Sequence, residues 1–437
     1  MLRSRSIFEI DLYTTLSAVA LVVIGVLFVY SSGVTATGQI VSREYLRQIA
    51  WAASGIVIML VLTFLDYRVL SRPAPVLFGV TVLVLLGTLA FGRVVNGARS
   101  WIGIGELGGQ PSEFAKIALI IMLAWYYGSD DKRTRRLSGF AVGLLITLLP
   151  TGLVLLQPDL GTAMVYLPIF LFITFAAGVP LTFIVFIVGV GSLTILFTVV
   201  PVWSSIGESG NGPLVQVLTI RENLQFLLLG VGVATLLSLT GLLATKRRVF
   251  FWMTYGLAIV FVALPLSYVA RAVLQDYQIM RLIVFLDPYV DPRGAGWNII
   301  QSTTAVGSGG PFGKGFLQGT QSHYQYLPQQ STDFIFSILA EEWGYIGVLG
   351  VFGLFGLIFG RSIYIMSSAK DRFAALIVAG VLGMFLFHFM VNVGMAVGIM
   401  PITGIPLLLL SYGGSSLWTA MAGIGLVMSV YQHRYQY

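Results

Sequence analysis

Tyr277-Gln278-Ile279-Met280-Arg281 opens, and Thr332-Asp333-Phe334-Ile335-Phe336 closes, a polar stretch set between long apolar runs. Between them stand Phe285-Leu286-Asp287-Pro288-Tyr289-Val290-Asp291-Pro292-Arg293-Gly294-Ala295-Gly296, then Gln301-Ser302, Gly307-Ser308-Gly309-Gly310 and Gly313-Lys314-Gly315, with Glu341-Glu342 just beyond. Nowhere else does the chain pack so many Asp, Arg, Gly, Gln and Ser residues together. A polar connection of this length between apolar helices is where recognition or chemistry is expected.

Outward from this stretch the chain is apolar. Of its 437 residues 57% are hydrophobic and 10% charged, with a mean hydropathy of +0.89. Soluble domains carry roughly 25% charged residues, so the sequence reads as an all-α, polytopic helical membrane protein. Spans of about 20 apolar residues are expected near 13–31, 48–65, 73–92, 114–128, 138–156, 163–178, 180–203, 225–245, 249–270, 334–360, 373–398 and 416–432. Gly178-Val179-Pro180 interrupts the run 163–203, which is either two spans or one span and a re-entrant piece. The first run, Tyr13 to Ser31, is too long for a signal-peptide core and lacks an Ala-x-Ala-like exit, so it is read as a retained span. Cysteine is absent, which excludes disulfides and thiolate metal sites. His323, His388 and His433 are scattered, against a histidine metal cluster.

The net charge of +7 is a topology signal. With Arg3 and Arg5 on the cytoplasmic side, Arg68, Arg72, Lys132, Arg133, Arg135, Arg136, Lys246, Arg247, Arg248, Arg361, Lys370, Arg372 and Arg434 fall on that side as well. Nucleic acid is therefore not an expected partner. The same parity puts a loop over 271–333 outside, with the connections 93–112, 157–162 and 399–415. Arg and Lys on that outer side run against the positive-inside bias, and anionic head groups or pyrophosphate are their natural partners.

Several polar groups could carry chemistry. Asp291, on a loop near the membrane surface, could act as a general base once partial burial makes its carboxylate more basic. Asp-Pro beside Gly is also ordinary turn chemistry, and Asp287-Pro288 has the same form, so spacing does not choose between Asp287 and Asp291. In Gln110-Pro111-Ser112-Glu113-Phe114-Ala115-Lys116, Pro then Ser opens a helix, and Glu113 and Lys116 at i, i+3 share a face. Arg99 beside Trp101 suits head-group contact or an aromatic belt. Asp159, in Gln157-Pro158-Asp159-Leu160-Gly161-Thr162, is placed to cap the following helix. Ser411-Tyr412-Gly413-Gly414-Ser415-Ser416 offers backbone N–H groups and hydroxyls to phosphate oxygens. His388 and Asn392 at i, i+4 read as interhelical hydrogen-bonding residues. Asp333, Glu341 and Glu342 suit a helix first turn or could hold a divalent cation.

In order along the chain, these motifs closely resemble the SEDS family (shape, elongation, division and sporulation), the RodA and FtsW proteins. The matching stretches are Asn-Gly-Ala-Arg-x-Trp-Ile at 96–102, Gln-Pro-Ser-Glu-Phe-x-Lys at 110–116, Gln-Pro-Asp-Leu-Gly-Thr at 157–162 and Tyr-Gln-x-x-Arg at 277–281. They continue with Asp-Pro-x-Gly-x-Gly at 291–296, Gln-Ser at 301–302, Gly-Ser-Gly-Gly at 307–310, Thr-Asp-Phe-Ile-Phe at 332–336, Glu-Glu at 341–342 and Ser-Tyr-Gly-Gly-Ser at 411–415. Phe285-Leu286-Asp287-Pro288 looks more like the RodA branch, because FtsW members usually carry Asn at the position of Asp287. The family's essential loop aspartate matches Asp291.

The resemblance implies one integral-membrane domain over residues 1–437 with about 10–12 transmembrane helices, in the bacterial cytoplasmic (inner) membrane, its active site facing the periplasm or exterior. It implies a peptidoglycan glycosyltransferase that polymerises lipid II, a disaccharide-pentapeptide on undecaprenyl pyrophosphate, during cell elongation. A class B penicillin-binding protein, the transpeptidase, is the implied partner, beside membrane lipids. Asp291 is the expected general base. Arg99, Glu113, Lys116, Asp159, Gln278, Arg281, Gln301, Ser302, Asp333, Ser411, Gly413, Gly414 and Ser415 are the expected substrate-binding set, with Arg99, Lys116 and Arg281 facing the departing pyrophosphate. No cofactor is implied beyond a divalent cation such as magnesium. Alternative readings are a lipid II flippase and a non-catalytic scaffold.

Two departures from the family stand out. Leu327-Pro328-Gln329-Gln330-Ser331-Thr332-Asp333 lacks the Glu and His usual before Thr-Asp. Most members have ten spans, so residues 204–248 read as an inserted segment.

Overall fold

The computed structural model describes residues 10–95, 97–104, 107–206, 221–274 and 276–434. Arg3, Arg5, Asn96 and the middle of the expected insertion, 207–220, lie outside the described residues. The chain forms two compact units, residues 1–179 with 298–437, and residues 180–297.

The first unit contains α1 (Leu12–Ser32), α2 (Glu44–Phe64), a 3-10 turn (Tyr67–Leu70) and α3 (Ala74–Phe91), followed by β1 (Arg93–Val95), β2 (Ala98–Ile104) and β3 (Leu107–Gly109). After these come α4 (Pro111–Gly128), the short α5 (Lys132–Arg135), α6 (Leu137–Leu155) and α7 (Leu160–Ala176). The second unit holds α8 (Leu181–Ile206), α9 (Arg221–Thr245), α10 (Arg248–Val273) and α11 (Asp276–Leu286), then a 3-10 turn, Pro288–Val290. The chain continues through α12 (Trp297–Ser308), the short α13 (Thr320–His323), α14 (Ile335–Ser367), α15 (Arg372–Ala396) and α16 (Gly414–His433).

All twelve expected spans are helices, split at Gly178 as the sequence suggested. Among the described residues, nine helices are long and apolar enough to cross a membrane: α1, α2, α3, α6, α8, α9, α10, α14 and α15. The other three, α4, α7 and α16, are shorter or more polar. In the first unit α15 is the central helix, with 72% of its apolar window buried. It packs against α4, α7, α14 and α16, while α16 lies along α2. In the second unit α9 packs on α10 and α10 on α8. Only 6% of the apolar window of α9, the helix of the expected insertion, is buried within the chain.

One expectation is refined and one is corrected. The long connection 271–333 carries the short helices α11, α12 and α13 over about half of its length. On α11, Gln278, Ile279, Ile283 and Val284 form a buried face. The connection 93–112, expected as a loop, contains a three-stranded antiparallel sheet in the order β1-β2-β3. Its alternating residues Ala98-Arg99-Ser100-Trp101-Ile102 follow a period of two, with Ser100 buried and Arg99 exposed.

Helix α14 is broken at Gly344 (φ 63, ψ −164). Gly310-Pro311 and Lys314-Gly315 cross at the break. Tyr345 and Ile346 N–H donate to the carbonyls of Gly310 and Pro311 (2.9 and 3.1 Å), and Lys314 and Gly315 N–H donate to Glu341 and Glu342 carbonyls (both 3.0 Å). Backbone groups freed by the kink are thereby satisfied within the chain. A Cβ at Gly344 would overlap the Gly313 backbone nitrogen.

Candidate functional site

Pro111 starts α4 where its missing N–H costs nothing, and Glu113 follows in the first turn, where the helix dipole favours a carboxylate. One turn on, Lys116 is completely buried. A lone ammonium there would cost several kcal/mol, and its surroundings answer that charge. Lys116 Nζ donates to Glu113 Oε1 at 2.7 Å and lies 3.2 Å from His388 Nε2 on α15. An ammonium can only donate, so the facing imidazole nitrogen accepts and Nδ1–H donates to the Pro406 carbonyl at 2.9 Å. The expected i, i+3 pair is thus formed, and it is buried within the chain.

Three motifs far apart in sequence meet around this pair. The Gln110 N–H donates to Ser415 Oγ at 3.0 Å, and Gln110 Nε2 to Asp159 Oδ2 at 2.5 Å. Asp159 also caps α7 as expected, accepting from Thr162 N at 3.1 Å. Tyr166 on α7 donates to the Ser112 carbonyl at 2.8 Å. On the other side, Asn392 Nδ2 donates to the carbonyls of Ile405 and Asp333, both at 2.8 Å. The Asp333 carboxylate faces Gly404, where a Cβ would stand 3.5 Å from it. His388 therefore makes an interhelical hydrogen bond, to Lys116 on α4, whereas Asn392 bonds the connecting segments at Asp333 and Ile405 instead of a neighbouring helix.

The Ser411–Ser415 turn is held from α2. Gln48 Nε2 donates to the Ser411 carbonyl at 3.1 Å and Gln48 Oε1 accepts from Gly413 N at 3.3 Å. Ser411 Oγ accepts from Leu407 N at 2.8 Å, and Gly414 lies so close to the Trp51 ring that a Cβ would come within 2.8 Å of it. Sequence reasoning missed Gln48 and the role of Gln110. The available signal for Gln48 was a carboxamide near the start of a span-length helix, costly in lipid unless it is bonded.

Other expected residues are placed elsewhere in this unit. Ser302 on α12 donates to the Ala396 carbonyl and shares a hydrogen bond with Ser337, both at 2.7 Å, with half-buried Gln301 beside it. Exposed Arg99 reaches the Leu89 carbonyl at 3.4 Å, while Lys116 is interior.

The cation site suggested by Asp333, Glu341 and Glu342 is not formed. Glu341 accepts from Lys314 Nζ (2.7 Å), Thr320 N (2.8 Å) and Gln321 N (3.1 Å). Glu342 accepts from Ser31 Oγ (2.5 Å) and Leu317 N (3.1 Å). These carboxylates tie the loop to the kink in α14, while Asp333 belongs to the Asn392 cluster. Among the described residues no three His, Asp or Glu side chains gather as a metal site.

Gln278, Arg281 and Asp291 lie in the second unit. Arg281 stands over the Tyr277 ring, 5.4 Å from its centroid, and Gln278 is buried. Asp287 is a turn residue, accepting from Tyr289 N at 2.9 Å. Asp291 is half-buried, and both its oxygens are engaged, Oδ1 by Gly294 N at 3.0 Å and Oδ2 by Ala295 N at 2.8 Å. The Asp-Pro-x-Gly-x-Gly spacing follows from this turn. A Cβ on Gly294 would overlap the Asp291 carboxylate, and one on Gly296 would overlap the Pro288 carbonyl.

The model of the cell cycle protein family of FtsW, RodA and SpoVE matches residues 12–208 and 214–436. The chain is 51% identical to the peptidoglycan glycosyltransferase RodA of Treponema pallidum, covering 98% of this chain and 99% of that protein. It is 33% identical to the peptidoglycan glycosyltransferase MrdB of Escherichia coli, over 95% and 93% of the two chains. A chain solved in work on the structural coordination of polymerization and crosslinking by a peptidoglycan synthase complex superposes with a TM-score of 0.66 at 31% identity, over 98% of this chain and all of that one. The rod shape determining protein RodA of Thermus thermophilus superposes with a TM-score of 0.60 at 28% identity, over 98% and 99%.

Proposed function

The chain belongs to the cell cycle protein family of FtsW, RodA and SpoVE, and from that premise we propose that it is a peptidoglycan glycosyltransferase of the RodA type, polymerising lipid II during cell elongation. It is a multi-pass membrane protein, and its reaction takes place at the outer face of the cytoplasmic membrane. A class B penicillin-binding protein works beside it and cross-links the new strand.

Asp291 is the general base. It removes the proton from the acceptor sugar hydroxyl as that oxygen attacks the donor's anomeric carbon. The observation that carries this role is the turn itself: Gly294 and Ala295 N–H hold both carboxylate oxygens in place, and each oxygen keeps a second lone pair for the incoming proton. Displacement in one step, with no covalent sugar on the enzyme, inverts the anomeric centre. Negative charge develops on the departing undecaprenyl pyrophosphate, and Arg99 and Arg281 are the cations assigned to contact it, with the buried Lys116 adding its charge from behind. Glu113 and His388 orient Lys116. Gln278, Gln301, Ser302, Asp159, Asp333, Ser411, Gly413, Gly414 and Ser415 shape and support the substrate site.

The test is polymerisation of labelled lipid II by the full-length protein with its transpeptidase, comparing wild type, Asp287→Asn and Asp291→Asn. Wild type and Asp287→Asn are expected to make glycan strands, and Asp291→Asn to make none. Normal polymerisation by Asp291→Asn would overturn the assignment. The interior Glu113–Lys116–His388 group is the kind of intramembrane charge that lipid II flipping would need, so lipid scrambling in vesicles by an Asp291→Asn protein that makes no strands would support that second reading.

A further inference from the structure

At the membrane face opposite the proposed reaction, the turn between α2 and α3, the end of α4 and the start of α15 enclose a cavity of about 360 Å³ lined by Arg68, Arg72, Asp371, Arg372 and Phe373 among others. Three guanidinium groups and one carboxylate, Asp371, line it, with Asp131 paired to Arg372 and Asp66 beside Arg68 just outside the lining, and Asp371 is already engaged. Asp371 accepts from Tyr67 Oη at 2.6 Å and caps α15 through Ala374 N at 2.9 Å, leaving Arg68 Nε 4.0 Å away. Arg372 is occupied by the Ala177 carbonyl and Asp131. Arg68 Nη2 is buried and makes no hydrogen bond, and Arg72 is exposed beside it. A buried guanidinium N–H without an acceptor is costly, and a planar fork of such donors matches phosphate oxygens.

We propose that this cavity binds the phosphodiester head group of an anionic phospholipid. Acyl chains have a path from its mouth. Val76, Val80 and Leu83 on α3 recur at i, i+4, i+7 and are 67%, 53% and 67% exposed, a stripe that begins one turn beyond Arg72. A soluble phosphate has no use for that stripe. The positive-inside bias places this face on the cytoplasmic side, whose leaflet carries anionic lipid.

The experiment is native mass spectrometry of the full-length protein titrated with phosphatidylglycerol or phosphatidylcholine, for wild type, Arg68→Gln and Arg72→Gln. Wild type is expected to prefer phosphatidylglycerol. Each substitution is expected to weaken that binding about fivefold, from the roughly 1 kcal/mol that a basic group contributes at an anionic surface, with phosphatidylcholine binding unchanged. Millimolar inorganic phosphate should not displace the lipid. Equal phosphatidylglycerol affinity in all three proteins overturns the proposal, as does displacement by inorganic phosphate, which would make this a site for the free ion. Should Arg68→Gln fail to fold, as judged by circular dichroism in phosphatidylcholine nanodiscs, Arg72→Gln on the exposed turn carries the test alone.

Discussion

Replacing Lys116 by Met tests whether the interior ion pair is as isolated as its geometry indicates. Lys116 is fully buried, Glu113 is 4% exposed, and Glu113 Oε2 has no hydrogen-bond partner, so Lys116 Nζ is the group that offsets the carboxylate. Removing one member of a buried pair leaves an uncompensated charge and costs about 3–5 kcal/mol. Removing both charges while keeping the volume is far milder, so Glu113→Gln combined with Lys116→Met should regain most of the loss, with a coupling of at least about 2 kcal/mol. Equilibrium unfolding in mixed detergent micelles, followed by tryptophan fluorescence of wild type, both single variants and the double variant, measures that cycle. Lipid II polymerisation by the same four proteins separates fold from chemistry, since the double variant should be stable and inactive. Were Lys116→Met to unfold within about 0.5 kcal/mol of wild type, the pair would be reached by water or lipid head groups and the argument from burial would fail.

Gly344→Ala should cost more than about 3 kcal/mol, because the left-handed conformation and the overlap with Gly313 both oppose a side chain; loss of folded protein on gel filtration reads it, and wild-type yield would contradict it. Gly294→Ala should lower polymerisation by roughly a hundredfold by displacing the Asp291 carboxylate, while the unfolding midpoint hardly moves. Burial pushes the Tyr67 phenol up to about 12 from its ordinary 10. The unfolded chain therefore ionises first: the stability Tyr67 confers is intact below pH 10 and is lost as pH rises to 12, by about 2–3 kcal/mol. Tyr67→Phe should flatten that alkaline limb in an unfolding series against pH.

The helices were legible because apolar runs of span length admit few other structures in a membrane, and the break at Gly178 was legible from its composition. Asp159 as a cap and His388 with Asn392 as bonding residues followed from local spacing. Pairing across the fold did not. Nothing near Lys116 in sequence points to His388, and nothing near Gln110 points to Ser415, because these contacts depend on how α4, α15 and α16 pack. The stretch around Asp291 shows the reverse limit. Its residues were singled out, yet the stretch was read as one connection, since an apolar helix as short as α11 does not stand out as a span.

The distance along the chain between Gln110 and Ser415 bears on how the protein is made. The two are 305 residues apart, and His388 follows Lys116 by 272. At about 5–20 residues per second, α4 waits on the order of 15–60 s in the membrane before the ribosome supplies its last partners. Until then its lysine is held by Glu113 alone, and the turn that receives the Gln110 N–H does not exist. A stalled or truncated chain therefore carries no assembled polar centre, and synthesis of the final helix is what completes it.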